Sequence, residues 1–285
     1  MEIIFNKLSY TDKSKNIKLL DNINMDIKPG SIVSIFGDNS DILANLLNVI
    51  KRPTSGEIKL DNIIVRRTSH INNITGLRKK IGYVSDSVLF IKEIVKDEIK
   101  NVLSNYGYKA SNVIKHIVDS LMMVGLNEEY LDRRIDTLST SEKKKLQLAI
   151  VLSYNPEVII LNGFFQGLYY RDREYFKKLF IKLKSNYNKT IIMLTNDLKD
   201  TFNIVDKIYV INKGNLVISG GKELYYGNKL YKYVETPKII EFTKYAQEQG
   251  HTILEYTDLK ELIKELYRNV RWVGLFIQWC RFIST

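Results

Sequence analysis

Residues 31–50, SIVSIFGDNSDILANLLNVI, decide the fold. Ser31–Phe36 is a short, mostly apolar run rich in β-branched residues, which is typical of a parallel strand buried on both faces. Residues 37–40 are polar apart from one glycine, and this predicts a tight loop. Asp41–Ile50 then carries apolar residues at helical spacing. The stretch therefore predicts a strand, a loop and a helix in immediate succession, with the strand inside a sheet and the helix covering it.

Similar strand patterns recur along the chain. Val158–Leu161 and Thr190–Leu194 are unbroken apolar runs that predict two more buried strands, and Arg171–Ser185 between them predicts an amphipathic helix. Shorter strand candidates are Ile3–Leu8, Ile23–Ile27, Glu57–Leu60, Asp206–Asn212 and Leu216–Ser219. Strands that alternate with helices predict an α/β core with a parallel sheet.

The middle of the chain, about residues 90–153, is predicted to be helical. Its apolar residues recur at steps of three and four, as expected of helices that bury one face. They are Ile94, Ile99, Val102, Ile114, Ile117, Val118, Leu121 and Met122. The sequence therefore predicts a helical insert between the strands of the α/β core.

Composition limits the class of protein. The chain has 285 residues, of which 45% are hydrophobic, enough to bury a core and to exclude disorder. Cys280 is the only cysteine, and the three histidines are far apart, so neither a disulfide within the chain nor a metal site is predicted. The sequence shows no signal-peptide arrangement and no apolar run long enough to span a membrane. A cytosolic chain is therefore predicted.

The chain is basic. It has 43 Lys+Arg against 32 Asp+Glu, a formal net charge of +11. This charge suits an anionic partner, either nucleic acid or the inner leaflet of a membrane. No nucleic-acid recognition motif is present, so nucleic acid is not the expected partner and a lysine-rich solvated surface is the simpler interpretation.

The order of segments resembles that of the nucleotide-binding subunits of ABC transporters, in particular the ATPases of energy-coupling factor importers. The matching phrases are LSY at 8–10, LLDNINMDIKPGSIVSIFG at 19–37, KRPTSGEIKLD at 51–61, IGYV at 81–84, NPEVIIL at 155–161 and VDKIYVINKGNLVISG at 205–220. The resemblance implies a P-loop NTPase-like cassette over residues 1–221, with a mixed sheet core and a helical subdomain at about 90–153. Residues 222–285 would form a small C-terminal extension.

The loop at which this family binds phosphate departs from the family motif. Such a loop reads G-x-x-x-x-G-K-[ST], because backbone N–H groups and the lysine hold the phosphates and the hydroxyl binds Mg²⁺. The corresponding residues are Gly37, Asp38, Asn39, Ser40, Asp41, Ile42, Leu43 and Ala44. Ile42 replaces the second glycine and resists a positive φ, Leu43 removes the cation, and Ala44 removes the metal ligand. A plain corner between strand and helix is expected here, and Mg²⁺ is not.

Other positions that the resemblance would make catalytic also differ. Asn162 and Gly163 stand where the family has an Asp that holds Mg²⁺ and a Glu that polarises the attacking water. Asp86 stands for a metal-facing Gln, Asn196 for a His and Tyr169 for an Asp. Because catalysis of phosphoryl transfer is almost wholly charge stabilisation and positioning, these losses together predict an inactive ATPase.

Two elements are partly kept. The family signature LSGGQ, which faces the γ-phosphate bound by a partner cassette, reads Leu138 followed by Ser139, Thr140, Ser141 and Glu142. This loop either completes a partner's site in part or is simply a capped helix start. Tyr10 is at the position where the family stacks an aromatic ring on adenine, or it is a partly buried tyrosine at the end of a strand. ATP binding without hydrolysis is therefore left open.

These observations predict a non-hydrolysing subunit of an energy-coupling factor-like transporter at the inner face of the membrane. It would pair with a second cassette and dock a transmembrane subunit through residues 86–98 and the helical insert. Two alternatives stay open: a cassette-derived interaction or regulatory protein without a transport role, and a weak ATPase. The tail 270–285, VRWVGLFIQWCRFIST, has a narrow polar face as a helix. It would lie on a membrane surface, pack on a partner, or fold back on this chain.

Overall fold

The structure, a computed structural model, describes residues 1–69, 75–87, 89–108, 110–225 and 229–250, and the single positions 262, 264, 268, 274, 276, 277 and 279. His70, His251 and most of the tail 270–285 lie outside these residues. The described part is built from two sheets and the helices packed around them.

The larger sheet has six strands. They are β3 (Ile32–Gly37), β6 (Ile81–Val84), β7 (Val158–Asn162), β8 (Thr190–Leu194), β9 (Lys207–Asn212) and β10 (Asn215–Gly220). Their order across the sheet is β10-β9-β3-β8-β7-β6, and all are parallel except β10, which pairs antiparallel with β9. The carboxyl ends of β3, β8, β7 and β6 therefore lie at one edge of this sheet.

The smaller sheet has four antiparallel strands. They are β1 (Ile3–Asp12), β2 (Ile17–Ile27), β4 (Ser55–Leu60) and β5 (Ile63–Val65), in the order β2-β1-β4-β5. The register of β1 against β2 shifts at several points between Phe5 and Thr11. Such bulges bend a strand and interrupt its alternation of buried and exposed residues.

Seven α-helices have both ends within the described residues. They are α1 (Ser40–Leu47), α2 (Thr75–Arg78), α3 (Val95–Asn105), α4 (Ala110–Met123), α5 (Thr140–Ser153), α6 (Tyr170–Tyr187) and α7 (Lys238–Glu248). Three of them, α3 to α5, contact one another in the helical insert predicted for residues 90–153. The strand, loop and helix predicted for 31–50 are present, but α1 is shorter than predicted. It ends at Leu47 because Val49 adopts a φ of 55° and leaves the helical conformation.

The six-stranded sheet is buried on both faces. On one face Phe36, Leu161 and Met193 pack among residues of α3 to α6. On the other, Ile35, Ile160 and Leu194 pack against α1 and the smaller sheet. Burial on both faces explains why these strands are nearly continuous apolar runs in the sequence. The α/β core expected from the sequence, with a mixed sheet and a helical insert, is confirmed.

The segment after Gly220 continues the same core. Tyr225, Leu230 and Val234 belong to the cluster that covers the helical face of the large sheet. Further on, Phe242 of α7 is fully buried and contacts Phe276 and Trp279 edge-on, with ring centroids 5.1 and 5.5 Å apart. Trp279 is 6% exposed, so this ring of the tail is folded back on the chain's own α7. The division at residue 221 stays a prediction.

Among the described residues, no helix is both long enough and apolar enough to cross a membrane.

Candidate functional site

The loop 37–44 connects β3 to α1, and its polar groups form hydrogen bonds with other residues of the chain. Gly37 adopts a φ of +114°, and a Cβ there would lie 1.7 Å from the carbonyl oxygen of Ile211, so only glycine fits. The Gly37 N–H donates to Oδ1 of Asn196 at 2.9 Å. Asp38 Oδ2 accepts from the N–H of Lys213 at 3.1 Å. These groups are therefore already engaged within the fold.

The left-handed residue of this loop is Asn39 rather than Ile42. Asn39 has a φ of 63°, and its side-chain amide donates to the Leu19 carbonyl at 2.9 Å. Ser40 begins α1, so Ile42 lies inside the helix, within the range 41–50 predicted to be helical, and needs no positive φ. Leu43 and Ala44 are each 1% exposed and pack in the core beneath the smaller sheet. The loop is a corner between strand and helix whose lysine and hydroxyl positions face the core.

Asn162, at the end of β7, connects the segment after β3 to β6 by hydrogen bonds. Its side-chain amide donates to Oδ1 of Asp41 at 2.7 Å and to the hydroxyl of Tyr83 at 3.3 Å. The strand order brings these residues together, because β3, β7 and β6 end at the same edge. Asn162 is buried and its amide nitrogen is occupied by these two acceptors.

Asp86 and Gly163 lie beside each other at this edge. A Cβ at Gly163 would come within 3.1 Å of the Asp86 Cβ. Next to them, Lys144 of α5 is only 2% exposed, donates to the Asp86 carbonyl at 3.2 Å and lies over the Phe164 ring at 5.5 Å. Burial lowers the pKa of Lys144, and the charge of Asp86 opposes that shift. The lysine thereby fixes α5 against the segment that follows β6.

The loop 138–142 is a capped helix start. Ser139 is the N-cap of α5: its hydroxyl accepts from the Glu142 N–H, and Glu142 Oε2 accepts from the N–H and hydroxyl of Ser139 at 2.8 and 2.7 Å. The hydrogen bond from the Tyr130 hydroxyl, followed by those from Ser139, lowers the pKa of Glu142 to about 2. An ionised carboxylate therefore holds the Ser139 hydroxyl. Thr140 is exposed, and Ser141 follows it in the first turn.

Tyr10 packs against the same core cluster as Ile42 of α1. It lies on β1, half-buried and paired with Leu20, and the Lys51 ammonium lies over its ring at 5.3 Å. It lines a cavity of about 340 Å³ to which no residue of 37–44 contributes. The structure therefore joins Gly37 with Asn196, Asp41 with Asn162 and Asp86 with Gly163, and it leaves Tyr10 and Ser139 outside this group.

The family model for ABC transporters matches residues 20–163 of the chain. The chain belongs to the ABC transporter family. Among its relatives, the energy-coupling factor transporter ATP-binding protein EcfA2 of Bacillus subtilis is 30% identical, covering 79% of this chain and 84% of that protein. A putative ABC transporter ATP-binding protein of Clostridium acetobutylicum is 29% identical, over 95% of this chain and 97% of its own.

Solved structures of ABC cassettes have a fold similar to that of this chain. The chain aligns with cbiO1 from Clostridium perfringens, described as part of the ABC transporter complex cbiONQ, with a TM-score of 0.72 and 25% identity over 85% of this chain and 98% of that one. It also aligns with a dimeric ATP-binding cassette bound to ADP and Pi, with a TM-score of 0.69 and 23% identity over 77% and 98%. The second likeness concerns the fold alone.

Two positions in this ABC cassette were not singled out from the sequence. Lys144 is four residues before the buried Leu148 and so falls on the inner side of α5. Arg173 of α6 donates to the Leu168 carbonyl at 3.1 Å and pairs with Asp200, whose side chain is 5% exposed. Helical spacing alone could have placed Lys144 on the buried side of α5. The contacts of Arg173 depend on which loops α6 packs against, which helical spacing does not give.

Proposed function

We propose that this ABC cassette is a non-hydrolysing subunit of an energy-coupling factor-like transporter, peripheral to the cytoplasmic face of the membrane. One observation carries the proposal: the polar groups at the site are bonded to one another rather than directed at a ligand. The amide of Asn162 holds Asp41, and Asn196 holds the Gly37 N–H. Relatives in Bacillus subtilis and Streptococcus thermophilus are named energy-coupling factor transporter ATP-binding proteins, which supports this type of transporter.

The residues present do not fit ATP with Mg²⁺ in the family's usual position. A triphosphate needs a lysine at position 43 and a hydroxyl at 44, whereas Leu43 and Ala44 are buried apolar residues. Asp38 and Asp41 would add negative charge beside the phosphates. Since ABC ATPases normally use Mg²⁺, this mismatch supports a cassette that neither binds the ion here nor activates water.

The signature loop supports the same interpretation for a paired cassette. In a head-to-tail dimer, Ser139 would donate its hydroxyl proton to the γ-phosphate held by the partner. Here that proton is directed to Glu142, whose charge also opposes a phosphate. We therefore propose that this chain pairs with a second cassette for structure or regulation, with little contribution to the partner's chemistry.

An anchored apolar segment supports docking of a transmembrane subunit. Leu89 and Ile91 are 91% and 78% exposed, while Phe90 between them packs against the helical core. The N–H groups of Ile91 and Lys92 donate to Oε2 of the buried Glu98 at 3.0 and 2.7 Å. Large apolar side chains that are held outward in this way are typical of an interaction surface.

The purified chain is expected to release phosphate from ATP–Mg²⁺ no faster than a mock purification. The reason is that removing even one charge-stabilising donor typically lowers turnover by about 100- to 1000-fold, and several are missing. A malachite-green assay measures this, with an active cassette of the same type as positive control. Turnover above the mock that disappears in an Asn162→Ala variant would show that this site does hydrolyse ATP.

Replacing the two exposed apolar side chains, Leu89→Asp with Ile91→Asp, is expected to weaken docking to the transmembrane subunit by more than about 100-fold. Burial of each such side chain is worth about 1.5–3 kcal/mol, and both would be lost. Co-purification in detergent with the co-expressed transmembrane subunit measures the effect. The matched control is Ile17→Asp with Ile181→Asp, two exposed isoleucines elsewhere. Equal retention of both double variants would exclude this segment as the docking surface.

A further inference from the structure

The cavity of about 340 Å³ at Tyr10 is distinct from the loop 37–44 and is strongly basic. Its walls come from the turn after β1, from residues 51–54 and from the segment after β5. Four cations line it: Lys13, Lys51, Arg52 and Arg67. The one carboxylate in the lining belongs to Asp12, and its Oδ1 accepts from the N–H and hydroxyl of Ser14 at 2.9 and 2.7 Å. The cavity therefore carries an excess of positive charge.

These cations have no acidic partner among the described residues. The neighbouring Arg66, by contrast, pairs with Glu57 at 2.6 Å. Lys51 and Arg52 are half-buried, which removes part of their hydration without supplying a counter-charge. Partial burial of two unpaired cations beside two exposed ones favours an anionic ligand that supplies the missing charge.

The cavity is held in shape by its surroundings. The Tyr10 ring lies under the Lys51 ammonium at 5.3 Å, a cation–π contact that fixes this charge at the wall. Thr54 joins the opposite side to β1, since its N–H and hydroxyl donate to the Ser9 carbonyl at 2.9 and 3.0 Å and its oxygen accepts from the Thr11 N–H at 3.2 Å. Lys51 and Arg52 directly precede this anchored turn.

We propose that this cavity binds a di- or triphosphate group without a metal ion, either free or carried by a nucleotide. Four cations against one carboxylate match the charge of about −3 to −4 of such a group, and the guanidinium forks of Arg52 and Arg67 suit phosphate oxygens. In this site Tyr10 positions Lys51. The phosphate group is bound by residues outside the loop 37–44, so the proposal does not depend on whether that loop is inactive.

Calorimetric titration of the full chain with sodium tripolyphosphate in EDTA tests the site. Binding is expected for the wild type, and Lys51→Gln with Arg67→Gln is expected to weaken it at least tenfold and to reduce its dependence on salt. The matched control, Lys28→Gln with Lys59→Gln, removes the same charge from other positions and is expected to stay within about twofold of the wild type. Melting curves establish that both double variants are folded.

Parallel titrations with ATP in EDTA and with adenosine identify the source of the phosphate. Affinities for ATP and tripolyphosphate within a few-fold support recognition of the phosphate group alone, and a much tighter ATP complex supports a nucleotide. The proposal is overturned if tripolyphosphate does not bind, if the cavity and control variants weaken it equally, or if only an oligonucleotide binds through these residues. Phosphate release from ATP–Mg²⁺ would contradict the proposed function and leave this result unaffected.

Discussion

A Leu43→Lys substitution, which restores the lysine of the family motif, is expected to lower the free energy of unfolding by about 3 kcal/mol or more and to restore no ATP binding in the loop. Leu43 is 1% exposed and packs in the core that α1 shares with β3 and β7. Replacing it removes about 1.5–3 kcal/mol of apolar burial and adds the cost of an unpaired ammonium.

A second substitution at position 43 is the matched control for the loss of stability. Leu43→Met conserves volume and polarity and is expected to cost less than about 1.5 kcal/mol. Urea denaturation gives the stabilities, and calorimetry with ATP–Mg²⁺ in the Lys51→Gln, Arg67→Gln background reports on the loop alone. A Leu43→Lys protein as stable as wild type that binds ATP–Mg²⁺ would mean that position 43 faces a working phosphate site.

The unbroken apolar strands were predictable from the sequence. Thr190–Leu194 has the bounds predicted for it, because a strand buried on both faces needs apolar residues at every position. β1 was predicted only to Leu8 but continues to Asp12, since its bulges and half-exposed residues break the alternation by which such a strand is recognised. Short strands such as Ile63–Val65 carry too few residues for any periodicity.

The candidate site was predictable as a list of positions but not as a set of contacts. The family motif identified Asp41, Asn162 and Asn196, which lie far apart in the sequence. Their hydrogen bonds depend on the strand order β3-β8-β7, which local patterns do not encode. The same limit applies to Tyr10: the resemblance assigns its ring to adenine, whereas the structure places the ring beneath the Lys51 ammonium in a basic cavity.

Helix α6 also stabilises the loops at the edge of the large sheet where the candidate site lies. Arg173 joins the Leu168 carbonyl, in the loop after β7, to Asp197 and Asp200, in the turn after β8. Asp200 Oδ2 in turn accepts from the Thr195 hydroxyl at 2.9 Å, directly before Asn196. One guanidinium therefore fixes the two loops that carry Gly163 and Asn196.

Arg173→Met is expected to lower the free energy of unfolding by about 3 kcal/mol at pH 8, because it leaves the carboxylate of Asp200 buried and unpaired. The effect should depend on pH. Burial raises the pKa of Asp200 to about 6, while Arg173 opposes that rise. Between its ordinary pKa of 3.8 and about 6, the folded chain holds a proton that the unfolded chain lacks, so this group's contribution to stability falls as pH rises through that range.

Without Arg173 the pKa of Asp200 rises further and the fall continues to higher pH. The cost of Arg173→Met is therefore expected to be small at pH 5 and to approach its full value at pH 8. Denaturation at both pH values measures this, with the exposed Lys182→Met on the same helix as control. Adding Asp200→Asn should recover most of the loss at pH 8, because the double variant leaves no buried charge. A cost that is the same at both pH values, or one that Asp200→Asn does not recover, would mean that Arg173 acts through packing alone.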